Sequence, residues 1–62
     1  MTFEQMRGIA IERMDKQISD LSDHLISFQE ALGFLSALKS VGLIFDAEYF
    51  DYWRRIFHLV LD

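Results

Sequence analysis

Cysteine and proline are absent from this 62-residue sequence, and glycine occurs three times. Without cysteine there is no disulfide framework and no thiolate metal site, two common supports of a very small fold. Without proline, the strongest local block to helix propagation is missing. Bases are also few: six Lys and Arg against ten Asp and Glu leave a net charge of −4. Nucleic-acid binding draws on clustered Lys and Arg at phosphates. Here Arg7, Arg13 and Lys16 lie early, Lys39 stands alone, and Arg54–Arg55 is the only pair. No nucleic-acid partner is expected. No apolar run approaches the roughly 20 residues that span a bilayer, and no basic segment leads into an apolar one at the N-terminus. The expectation is a soluble, cytoplasmic chain with no membrane partner.

What the chain has is oil. Hydrophobic residues make up 52%, and six Phe, two Tyr and one Trp bring the aromatics to 15%. That excludes an intrinsically disordered tail. At 7.3 kDa it fits one domain, residues 1–62, with a small core.

Thr2 and Gln5 have the spacing of a capping box, with Glu4 in the first turn. The apolar residues then step by three and four without a skip. Ile11, Ile18, Leu25 and Leu32 occupy heptad position a, and Met14, Leu21, Phe28 and Leu35 occupy d. Such a seam belongs to helices that pack against a partner along their length. Gly42 closes the segment with a residue suited to a left-handed C-terminal cap. Asp46 then offers an N-cap, and Phe45 and Phe50 have the spacing of a hydrophobic staple. The expected fold is all-α: a helical hairpin with a long helix over about residues 3–41 and a short one over about 47–61. Between Ser19 and His24 the sequence is rich in capping residues, so a break there would give a three-helix bundle instead. The unbroken heptad through Ile18, Leu21 and Leu25 favours the continuous helix.

A long helix of ~39 residues extends about 58 Å and a short one of ~15 about 22 Å. The hairpin therefore leaves half of its long arm uncovered. The short arm carries a broad apolar surface of Tyr49, Phe50, Trp53, Ile56, Phe57 and Val60. A second copy is the simplest cover, because two-fold dimers are the commonest oligomers. The expectation is a homodimeric four-helix bundle. Ile11, Met14, Ile18, Leu21, Leu25, Phe28, Leu32 and Leu35 would form its interface, and Tyr49, Phe50, Trp53 and Phe57 would serve as core or as the surface for another protein.

The run Leu35, Leu38, Lys39, Gly42, Leu43, Ile44, Glu48 and Tyr49 resembles the short two-helix SHOCT (short C-terminal domain) module of bacterial proteins. It is also similar to hairpins in small proteins of phages and mobile elements. The resemblance covers residues 35–57 and implies oligomerisation or partner docking rather than chemistry. This chain departs from the module at Trp53, where a lysine is usual, and at Phe45, where a small capping residue is common.

Catalytic and metal-binding patterns are sparse. His24 and His58 have Leu21 and Arg55 three positions earlier, so no bundle-type Glu-x-x-His is present. Asp20 and His24, four apart, read as a hydrogen-bonded pair on a helix face. The serines have no evident base, and Gly8, Gly33 and Gly42 are too isolated for a phosphate loop. The chain is expected to be non-enzymatic, with no cofactor and no metal. Its activity is then association: a self-associating module, or alternatively a small phage-type regulator that binds a host protein through its aromatic C-terminal helix.

Overall fold

Three helices run through the described residues: α1, Phe3–Ser22; α2, Phe28–Ser40; and α3, Asp46–Leu61. They are taken from a computed structural model that describes residues 1–61, and no strand occurs among these residues. Helix α1 begins as its sequence predicts. The Thr2 hydroxyl accepts the Gln5 amide at 3.1 Å, and the Gln5 side chain accepts the Thr2 amide at 2.8 Å.

The long helix expected over residues 3–41 does not form. It ends at Ser22, and the chain reverses through His24, whose φ of 61° is left-handed. The Leu25 amide donates to the Asp20 carbonyl at 2.8 Å and the His24 amide to the Leu21 carbonyl at 3.1 Å. This is a Schellman motif with histidine where glycine is usual. Ser27, extended at φ −84° and ψ 159°, then caps α2 by accepting the Glu30 amide at 3.1 Å. A non-glycine residue in this conformation costs about 1–2 kcal/mol. Folding α2 back buries Met14, Leu21 and Leu35 within one chain, at about 1.5–3 kcal/mol each. Burial outweighs the strain, and the three-helix alternative is the architecture found. Asp20 and His24 consequently share no helix face, since His24 lies beyond the end of α1.

The second reversal is the one glycine signalled. Gly42 has φ 78°, its amide reaches the Lys39 carbonyl at 3.1 Å, and the Leu43 amide reaches the Leu38 carbonyl at 3.0 Å. Helix α3 starts one residue earlier than expected. The Phe45 carbonyl accepts the Tyr49 amide at 2.9 Å, and the Phe45 amide donates to Glu48 Oε1 at 2.8 Å. Asp46 is therefore the first helical residue rather than the cap, and its carboxylate pairs with Lys39 Nζ at 2.7 Å. With the cap moved, Ile44 and Tyr49 take the staple positions and lie in or against the core, whereas Phe45 and Phe50 remain exposed.

Each helix contributes one inner stripe to the core. Ala10, Met14 and Leu21 come from α1, Ala31, Leu35 and Leu38 from α2, and Tyr52 and Ile56 from α3, with Ile44 between the last two helices. Two polar ties fasten α1 to the rest. The Arg7 guanidinium donates to both Glu48 carboxylate oxygens, at 2.9 and 3.0 Å, and to the Leu43 carbonyl at 2.9 Å, while stacking 4.0 Å from the Phe45 ring centre. The Tyr52 hydroxyl donates to Asp15 Oδ1 at 2.9 Å. No buried side-chain nitrogen or oxygen lacks a partner among the described residues.

Candidate interaction surface

The accessible surface of 4382 Å² is close to the ~4,200 Å² of a compact monomer of this mass. The radius of gyration of 11.4 Å is slightly above the ~10.6 Å of a compact chain this long. A single copy therefore shelters about as much area as its size permits. What distinguishes it is the composition of the surface.

Helix α3 turns Tyr52 and Ile56 inward. At about 100° per residue, Phe50, Trp53, Phe57, Val60 and Leu61 fall together in the sector beside that inner stripe. Phe50 is 61% exposed, Trp53 41%, Val60 44% and Leu61 78%; Phe57 is half-buried. The rings form two clusters along this strip. Trp53 and Phe57 lie 4.0 Å apart between centroids, Phe57 meets Phe28 of α2 edge-on at 5.0 Å, and Tyr49 meets Phe50 edge-on at 5.5 Å. Lys39 reaches Tyr49 at 6.0 Å, so α2 bounds one side of the strip. The other side is bounded by Arg54; Asp51 lies about 60° farther round the helix, where it lines a groove with Ile18 of α1. Asp51 pairs with Arg55 at 2.8 Å in an exposed i,i+4 bridge. Arg54 is exposed and has no ion pair or hydrogen bond with any described side chain. Along α3 the acids Asp46, Glu48 and Asp51 precede the bases Arg54 and Arg55.

The eight seam residues divide. Met14, Leu21 and Leu35 are buried in the core of one chain; Ile11, Ile18, Phe28 and Leu32 are half-buried; and Leu25, in the turn, is 71% exposed. The four heptads run across two antiparallel helices, not along one. Of the four residues assigned to core or partner, Tyr49 and Phe57 are half-buried, and Phe50 and Trp53 face solvent.

The heptad seam predicts a single apolar stripe in the N-terminal half. The structure resolves two. Besides the inner one, Met6 and Ile9 open outward, and with Met1, Phe34, Leu38 and Leu43 they line an apolar groove of about 360 Å³ between α1 and α2. The signal was there in Phe3, Met6 and Ile9, spaced by three and out of register with the heptad. The roles of Arg7, Glu48 and the Asp15–Tyr52 pair were also missed, because nothing local links residues 37 to 41 positions apart.

The perturbed groups belong to these ties. Arg7 holds the Glu48 carboxyl below its ordinary value, aided by the Phe45 amide. Burial, then the bond to Asp15, pushes the Tyr52 hydroxyl up to about 12. Among the described residues no three His, Asp or Glu side chains gather in a metal-binding group, and no helix is long and apolar enough to cross a membrane. No family model, curated protein or solved structure matches this chain.

Proposed function

We propose that this chain is a non-enzymatic protein–protein interaction module that works by self-association into a homodimer. The observation that carries the reading is the exposed aromatic strip of α3. Phe50 and Trp53 stand in water on a helix whose inner face is already used by its own chain. Large aromatic side chains left together at a surface mark contact sites. The resemblance of residues 35–57 to two-helix oligomerisation modules points the same way. In this reading two three-helix copies meet, in place of the four-helix assembly of hairpins.

The working test is molecular mass by sedimentation equilibrium over a dilution series from millimolar to micromolar. A dimer that dissociates on dilution is expected. A helical species that stays monomeric at every concentration overturns the reading.

A second reading, a small regulator that binds a different protein, is favoured by the separate groove between α1 and α2, which could receive a partner independently of α3. Capture of one defined partner that is lost in Met6→Asp but kept in Trp53→Ala would favour it.

A further inference from the structure

From the α1–α2 turn we infer that two copies of this chain exchange α1. The turn opens, α1 and α2 join into one helix, and the α1 of each copy takes the place of the other's. The exchange goes beyond the association through α3 proposed above, since Phe50 and Trp53 stay at the surface in either form.

The turn is built from residues that suit a helix as well as a reversal. Residues 22–27 contain neither glycine nor proline. His24 nonetheless holds a left-handed φ of 61°, a conformation that disfavours any residue with a Cβ. The other reversal has glycine at that point, Gly42 at φ 78°, and carries no such cost. Short hinges under strain are where chains trade elements, because the open form releases the strain. Opening replaces the turn bonds of the His24 and Leu25 amides and the Ser27 cap with ordinary helical bonds, so the backbone groups stay paired.

The seam decides what the open form does. Its heptad passes through the turn in register, and Leu25, at position a, is 71% exposed in the closed chain. Leu21 and Phe28, like Met14 and Leu35, lie at nearly equal distances on either side of Leu25. Two opened copies laid antiparallel, with a two-fold axis at Leu25, therefore share the register of the closed hairpin. Each Leu25 meets its counterpart at the axis, while Ile26, at position b, turns outward in exchange. Asp20 and Asp23 fall at c and f, away from the crossing, so no carboxylates are forced together. The two ties of α1 are kept between copies: Arg7 of one reaches Glu48 of the other, and Asp15 reaches Tyr52. Each half of the dimer then repeats the closed chain except at the turn.

Complementation across the Arg7–Glu48 pair tests the exchange in the full chain. Arg7→Glu sets two carboxylates together within a closed chain, and Glu48→Arg sets two guanidinium groups together. In an exchanged pair of one copy of each, both halves again match acid with base. Equimolar variants unfolded in urea and refolded together should give about tenfold or more mixed dimer than either variant alone gives like dimer. Native mass spectrometry separates the three pairs by mass. Variants that fold only when mixed meet the same expectation, read as a gain in far-UV helicity. In the otherwise unmodified chain, His24→Gly should lower the dimer yield after refolding at high concentration and His24→Ala should raise it. Mixed and like pairs in statistical proportion, no pairs at all, or a yield indifferent to residue 24 overturns the exchange. A wild-type dimer that forms and dissociates without unfolding, with no preference for the mixed pair, leaves association through α3 standing and removes the exchange alone. Wild type that pairs only after refolding, with the mixed pair favoured, keeps the exchange and overturns association through α3.

Discussion

Arg7 and Glu48, 41 positions apart, meet in a two-pronged ion pair at 2.9 and 3.0 Å, and Glu48 also holds the Phe45 amide at the start of α3. One carboxylate thus joins α1 to the α2–α3 turn and caps a helix.

The pair makes stability depend on acid. Glu48 titrates below its ordinary value of 4.5 in the folded chain, so its contribution is complete above that value. It is lost as pH falls through the lowered folded pKa. Glu48→Gln should be less stable at neutral pH and should lose less on acidification. Urea unfolding midpoints from neutrality into the acid range measure both effects, and a wild-type slope in the variant would assign the acid sensitivity to other groups.

Tyr52 acts at the opposite end of the scale. Its hydroxyl is raised from 10.0 to about 12 in the folded chain. The folded state therefore holds this proton more tightly, and the stabilisation, complete below pH about 10, is lost as pH rises from there to about 12. Tyr52→Phe should show a flatter decline over that window, and tyrosinate absorbance of the folded wild type should include one late-titrating residue.

Backbone strain supplies a prediction of either sign. His24→Gly should stabilise the chain by about 1 kcal/mol, since it relieves a left-handed histidine. Gly42→Ala should destabilise it by about 1 kcal/mol, although the added methyl meets nothing within 4 Å. Gly33→Ala, in a helix and equally open, should stabilise by about 1 kcal/mol. Thermal or denaturant unfolding of the three single variants tests them together.

Core truncation separates folding from association. Leu35→Ala and Ile56→Ala, both at fully buried positions, should each cost about 2–5 kcal/mol. Leu21→Asp places a charge in the core and should abolish cooperative folding rather than release a folded monomer. A folded, monomeric Leu21→Asp would instead place Leu21 at an interface between chains.

The sequence by itself determined that the chain is helical, where it begins, that Gly42 reverses it, and which residues are oily enough to be core. Those properties are local: a capping box, a left-handed glycine and a three-four spacing are each set within a few residues. Ser27 and Glu30 also carried a helix-start signal, an S-x-x-E pattern three residues past His24. The uninterrupted heptad masked it, because a/d spacing persists whether a helix runs straight or folds back on itself. Only the tertiary structure decided that the seam turns inward on its own chain. A histidine can be held in a glycine's conformation when burying Met14, Leu21 and Leu35 outweighs the strain. The same long-range closure joined Arg7 to Glu48 and Asp15 to Tyr52, and it left Phe50 and Trp53 facing water on a helix whose other side was already occupied.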